Sequence, residues 1–315
     1  MNGKPVPFRA LFFGTPAIAL GSLRALTEVA EVVGVVTQPD RPSGRGLELH
    51  APPVKTLAQE LGIEVTQPLK VRTGELRDWV LARRPDVLVV LAYGRILPVD
   101  VLEAAPRGAI NLHASLLPRY RGAAPIAWSI LRGETETGVS LMQMDAGMDT
   151  GAVLSRHAIP IGADETGGEL TERLADLAAS IVRTDLPRAV RGELSAEPQD
   201  EALATYAPPL ERDAGRIDFA KPAAELKNLV RGLAPRPGAF TTLGGKTLRI
   251  ASVQVREDAL AGAVGSVQVE RGVPFVTTGR GSLEIVSAQL EGRRIASGRD
   301  LVNGRVLRAD LVLGS

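Results

Sequence analysis

Short apolar runs, separated by stretches of helical periodicity, fill the first two-thirds of the chain, and this alternation constrains the fold more than any other feature. Residues 10–13, 32–37, 87–91, 109–112 and 138–144 are brief and largely apolar, as strands covered on both faces are. Between them Val54, Leu57, Ala58 and Leu61 recur at helical spacing, like the inward stripe of a surface helix. Leu170, Leu174, Leu177 and Ile181 repeat the pattern over a longer span. Strand–helix alternation of this kind predicts an α/β body with a Rossmann-like, doubly wound, mainly parallel sheet. We assign it residues 1–190.

The texture then changes. Residues 191–209 are polar, proline-bearing and weakly periodic, which reads as a linker. Leu226, Leu229, Val230 and Leu233 mark one further helix. Residues 247–255, 264–269, 275–278 and 283–290 are short β-rich pieces between glycine turns. They predict a smaller OB-like β-barrel domain over residues 210–315. Two domains also suit 315 residues, more than one core usually holds. From Tyr206 onward there are 16 Lys/Arg against 11 Asp/Glu, and 21 against 25 before it. The basic second part suits a polyanionic partner.

Composition removes several classes of chemistry. There is no cysteine, hence no disulfide, thiolate nucleophile or Cys-based metal site. His50, His113 and His157 are the three histidines, none at metal-ligand spacing with another. The longest apolar run, residues 87–93, is far shorter than the roughly 20 residues that cross a bilayer. The opening M-N-G-K-P-V-P-F has no apolar core for a signal peptide. A cytoplasmic, metal-free protein with no membrane partner is expected.

Chemistry concentrates in N-L-H-A-S-L-L-P-R-Y-R-G, residues 111–122. Asn111 and His113 are two apart at the end of an expected strand, so they face one side. That edge of an open α/β sheet is where ligands bind. M-Q-M-D-A-G-M-D-T-G, residues 142–151, ends another apolar run and offers Asp145 and Asp149. An amide donor can stabilise a developing oxyanion, an imidazole can move protons near neutrality, and a carboxylate can hold the ring. Together they can transfer an acyl group without metal or thiol. Residue types alone leave both aspartates open, and D-T-G is also good turn chemistry.

Both strings resemble those of the 10-formyltetrahydrofolate-dependent formyltransferases. Over nearly its whole length the chain is similar to the branch that formylates initiator methionyl-tRNA. The resemblance implies Asn111, His113 and Asp149 as catalytic residues and 10-formyltetrahydrofolate as co-substrate. It implies folate contacts at Ser115, Leu116, Leu117 and Pro118, and at Tyr93 and Ile96 in L-A-Y-G-R-I-L-P. F-F-G-T-P, residues 12–16, also resembles that branch, with Ala17 and Ile18 where many relatives carry Asp-Phe. The following G-T-P-A-I-A-L-G lacks the middle glycine of a dinucleotide fingerprint, which argues against a nicotinamide enzyme.

The loop T-Q-P-D-R-P-S-G-R-G, residues 37–46, resembles the one that meets the tRNA acceptor stem, which implies Arg41 and Arg45 as tRNA contacts. R-I-D-F-A-K-P-A and R-G-L-A-P-R-P-G-A-F resemble the start of the family's tRNA-binding domain, with Arg236 where many relatives have tryptophan. The implied protein is a monomer acting on initiator methionyl-tRNA. The alternative is a formyltransferase for another amine, such as an amino sugar nucleotide; the 37–46 loop and the 142–151 string argue against it. An RNA-binding protein with a dead enzyme core would not need the intact Asn–His–Asp set.

Overall fold

Apolar strands buried on both faces need helices above and below them, and the computed structural model has that arrangement. It describes residues 8–43, 48–258, 260–309 and 311–314. The chain forms two compact units, Met1–Pro125 with Thr137–Ile159 and Thr171–Pro208, and Ile126–Glu136 with Pro160–Leu170 and Pro209–Ser315.

In chain order the elements are β1 (Phe8–Gly14), α1 (Leu20–Val29), β2 (Ala30–Val36), β3 (Arg41–Ser43), β4 (Glu48–His50), α2 (Pro53–Glu60), β5 (Val65–Thr66), α3 (Glu75–Arg83), β6 (Val87–Leu91), α4 (Val99–Leu102) and β7 (Ala109–His113). Then follow α5 (Pro125–Leu131), β8 (Glu136–Gln143), β9 (Val153–Pro160), α6 (Gly167–Thr184) and α7 (Leu186–Arg191). The sheet of the first unit has the order β5-β2-β1-β6-β7-β8-β9. From β5 to β7 neighbouring strands are parallel, and β8 turns antiparallel to β7. The order reverses between β1 and β6, so their C-terminal ends open a switch-point crevice.

All five residues of β6 and of β7 are buried. Leu11, Phe13, Leu88 and Val90 of the sheet pack with Leu76 and Val80 of α3, each such burial being worth about 1.5–3 kcal/mol. On α2, Val54, Leu57 and Ala58 are buried as the stripe predicts, and Pro53 opens the helix where its missing N–H costs nothing. Leu61 falls just past the helix end and is half-exposed.

The second unit continues with α8 (Ala223–Gly232), β10 (Ala239–Leu243), β11 (Lys246–Arg256), β12 (Val267–Glu270), β13 (Val273–Thr277), β14 (Ser282–Leu290), β15 (Ala296–Ser297) and α9 (Gly298–Asn303). Its strands are antiparallel, in the order β10-β11-β14-β13-β12, with β15 on β14. This is the smaller β body that the glycine-punctuated strands predict. Gly244 and Gly245, at φ 55° and 75°, make the two-residue turn between β10 and β11, the geometry that needs left-handed backbone at both positions. Leu226 and Val230 of α8 join Leu248, Ile250 and Leu283 in its core. One strand starts later than expected: β12 begins at Val267, because Gly265 at φ 83° bonds Thr277 O and Val264 is exposed.

Candidate active site

β7 ends on Asn111, Leu112 and His113, with Asn111 8% and His113 6% exposed. Such burial is affordable for polar groups only where partners exist. His113 Nε2 lies 2.9 Å from Tyr120 O. A carbonyl can only accept, so Nε2 carries the proton. The other ring nitrogen, Nδ1, is 3.6 Å from Asp149 Oδ2. That carboxylate oxygen also accepts the Gly122 N–H at 2.8 Å. Asp149 stands in left-handed backbone, φ 57°, which aspartate tolerates better than most residues. No hydrogen bond to the Asn111 carboxamide forms among the described residues, which leaves its N–H groups for a ligand.

The two aspartates left open by residue type separate cleanly. Asp145 Oδ1 accepts from Gly147 N–H at 3.0 Å and from the Thr150 hydroxyl at 2.7 Å. It ties its own loop. Asp149 is the one beside the imidazole.

The segment 115–118 is pinned by its neighbours. Ser115 Oγ donates to Arg119 O at 2.6 Å, closing the turn after β7. Ser140, buried on β8, donates its hydroxyl to Ser115 O at 2.7 Å and accepts Leu117 N–H at 3.0 Å. Arg156 of β9 donates to Leu117 O at 2.7 Å. The Leu117 side chain packs with Met142 and Val153, while Leu116 and Pro118 are half-buried.

Tyr93 and Ile96 lie on the loop after β6, the strand beside β7. Ile96 is 67% exposed, while Tyr93 is 2% exposed and sets its ring edge-on against Phe13 at 5.4 Å. The Tyr93 hydroxyl is buried without a partner among the described residues, and burial pushes it up to about 12. Its carbonyl accepts from the Thr15 hydroxyl at 3.1 Å and from Gln38 Nε2 at 2.8 Å. The ends of β1, β2 and β6 are thereby fastened around the crevice. Arg41 is exposed on β3, its guanidinium bonding the Gln38 side chain. Arg45 lies outside the described residues.

Sequence reasoning missed what holds the loop after β7. Arg121 is wholly buried. Its guanidinium donates to Gln199 Oε1 at 3.1 and 2.9 Å and to both Glu201 oxygens at 2.9 and 2.8 Å. Hydrogen bonding from Arg121 in turn holds the Glu201 carboxyl below its ordinary value. Tyr120 N–H donates to the Thr205 hydroxyl, Arg121 N–H to Thr205 O and Ala207 N–H to Arg121 O. At Gly122, φ 116°, an added Cβ would come within 2.8 Å of Ala207 O. The stretch 199–207, inside the polar region read as a linker, is thus part of the first unit and backs the site. The hint in the sequence was Arg121 itself, a charge three residues past segment 115–118.

Comparisons with known proteins agree along the chain. The Formyl transferase family pattern matches residues 13–186, and the pattern for the formyl transferase C-terminal domain matches residues 209–306. A methionyl-tRNA formyltransferase from Sorangium cellulosum is 55% identical over 309 residues, covering 97% of this chain and 99% of that protein. Another, from Myxococcus xanthus, is 48% identical over 301 residues, covering 95% and 96%. Among solved structures, an N-formyltransferase from Helicobacter canadensis in complex with folinic acid and dTDP-3-aminofucose superposes with a TM-score of 0.67, at 18% identity, over 90% of this chain and 99% of that one. At that identity the likeness speaks for the fold alone. No helix among the described residues is long and apolar enough to cross a membrane.

Proposed function

The chain belongs to the methionyl-tRNA formyltransferase family, and from that premise we propose that Asn111, His113 and Asp149 carry its chemistry. The enzyme moves the formyl group of 10-formyltetrahydrofolate to the amino group of methionyl initiator tRNA. The observation that carries the site reading is the pair His113 Nδ1–Asp149 Oδ2 at 3.6 Å, two residues from an amide donor on the same strand end.

The folate co-substrate supplies a formyl carbon whose bond to nitrogen breaks as the bond to the methionyl amine forms. The residues fit such a group, since the Asn111 N–H donors are unused by the described protein atoms. Asn111 donates to the formyl oxygen as negative charge grows there. His113 holds its proton on Nε2 against Tyr120 O, so the atom that takes the amine's proton is Nδ1. Asp149 Oδ2 stabilises the imidazolium so formed. The same Nδ1–H then protonates the departing nitrogen, and the ring returns to its starting tautomer.

In this reading Ser115, Leu116, Leu117, Pro118, Tyr93 and Ile96 border the folate. Arg41 and Arg45 meet the acceptor end of the tRNA. The catalytic domain of the sequence reading, residues 1–190, is extended by the 199–207 stretch that backs the site, and residues 210–315 bind tRNA. All three catalytic side chains come from the first unit of one chain, which supports a monomer.

The test is formyl transfer from labelled 10-formyltetrahydrofolate to Met-charged initiator tRNA, with uncharged initiator and Met-charged elongator as controls. Product confined to the charged initiator is expected. Its absence, with folate bound and the protein folded, would move the acceptor to a sugar or nucleotide amine. Replacing His113 by alanine or Asp149 by asparagine is expected to remove turnover while tRNA binding persists, and wild-type rates in both would end the mechanism.

A further inference from the structure

We propose that Gln199 is a positioning residue for formyl transfer, an inference that rests on the proton-handling roles given above to His113 and Asp149. Its carboxamide uses its full hydrogen-bonding capacity at one point. Oε1 accepts Arg121 Nε at 3.1 Å and Arg121 Nη2 at 2.9 Å. Nε2 donates to Asp149 O at 2.8 Å and to Gly151 O at 2.7 Å. One planar group therefore clamps two loops that are remote in sequence.

Both loops deliver atoms to the imidazole–carboxylate pair. Arg121 sits between Tyr120, whose carbonyl accepts the hydrogen bond from His113 Nε2–H, and Gly122, whose N–H holds Asp149 Oδ2. On the other side, Asp149 is itself the residue whose carbonyl Gln199 grips, at a backbone φ of 57° that nothing in the side chain enforces. If the carboxamide lets go, Tyr120 O, Gly122 N and Asp149 lose a common reference. The 3.6 Å spacing between His113 and Asp149 is then set by two independent loops. Chemistry that depends on positioned groups falls steeply with such drift, whereas binding of the two substrates does not need it.

A purely structural staple would also use four hydrogen bonds, so the test must separate the two. Gln199→Glu keeps an acceptor, now charged, for Arg121 and removes both donors to the Asp149 and Gly151 carbonyls. The expected result in Q199E is a kcat lower by about 10–100-fold, KM values for tRNA and folate within about threefold, and a displaced limb in the pH–rate profile. Gln199→Met, equal in length and without donors, is read in the same way if Q199E does not fold. Wild-type kcat with a wild-type pH profile in the folded variant overturns the inference. So does a kcat loss matched by loss of folded protein, with the pH profile unmoved. Asp149→Asn run beside it keeps the two ideas apart: an active D149N removes the site reading, while an inactive D149N beside a wild-type Q199E removes the role of Gln199 alone.

Discussion

Two backbone groups decide what the side chains of the site can do. Tyr120 O fixes the proton of His113 on Nε2, and Gly122 N–H fixes the orientation of Asp149. Asn111 is different, because no protein group orients its amide among the described residues. Its contribution should be felt only when charge develops on the formyl oxygen. Asn111→Ala is therefore expected to lower kcat by about 10²–10³, with KM for either substrate nearly unchanged; a rise in folate KM at constant kcat would make it a ground-state contact instead. Tyr93 carries the opposite expectation. Its hydroxyl is buried with no partner among the described residues, so Tyr93→Phe removes a desolvated polar group and should leave the unfolding free energy unchanged or raised by about 1 kcal/mol. A clear loss of stability in urea melts would show that the hydroxyl has an ordered partner. Asn111 and His113 stood out in the sequence as polar groups ending an apolar run, whereas Asp149 was singled out only by resemblance, since residue type left Asp145 open beside it. The groups that aim them were not legible, because Tyr120 O and Gly122 N–H are backbone atoms, which every residue type supplies.

Elements that pack by apolar stripes were equally legible, and those held by polar bonds were not. The runs 87–91 and 109–112 became β6 and β7 because a strand between two others needs no polar face. β5, two residues long, is too short to carry a pattern, and β9 hides behind half-exposed and exposed positions that include Arg156 and His157. The stretch 199–207 reads as linker because its bonds run to Arg121, about 80 residues away. β9 is fastened instead by a hydrogen bond: His157 Nε2 donates to Asp185 Oδ2 at 2.7 Å, between the end of α6 and the start of α7. Burial alone would raise the Asp185 carboxyl, but hydrogen bonds from neighbours, His157 and Thr184 among them, outweigh it and hold the group below its ordinary value. A carboxyl depressed in the folded state stabilises that state above its unfolded pKa and loses the benefit as pH falls through the folded one. Asp185→Asn is therefore expected to cost about 1–3 kcal/mol at pH 7, with the gap from wild type closing only below about pH 4. Urea melts at stepped pH check this, and a gap that persisted at pH 2 would assign the loss to packing rather than charge.

At the scale of the whole molecule, charge divides along the chain more sharply than its total reveals. The net formal charge is only +1, yet Lys and Arg outnumber Asp and Glu by 16 to 11 from Tyr206 onward and fall short by 21 to 25 before it. The excess of acidic residues before Tyr206 does not favour a polyanion, so phosphate attraction falls to the stretch after it if residues 210–315 bind tRNA as proposed. Counterion release makes such attraction salt-dependent in proportion to the phosphates neutralised, whereas a folate bordered by the residues proposed above would depend on salt weakly. Raising salt from about 50 to 200 mM should therefore lower kcat/KM for methionyl initiator tRNA by orders of magnitude while KM for the folate moves little. The exposed Arg271, Arg294 and Arg299 supply the discriminating variants. Each one that meets a phosphate should, on replacement by alanine, reduce the log–log salt slope by about 1 and leave formylation at saturating tRNA intact. A slope unchanged in the triple variant would exclude those three positions as phosphate contacts. A wild-type slope near zero would remove the electrostatic role of the unit altogether and leave tRNA affinity to loop 37–46 and the methionyl end, where Arg41→Ala would then have to cost most of the binding.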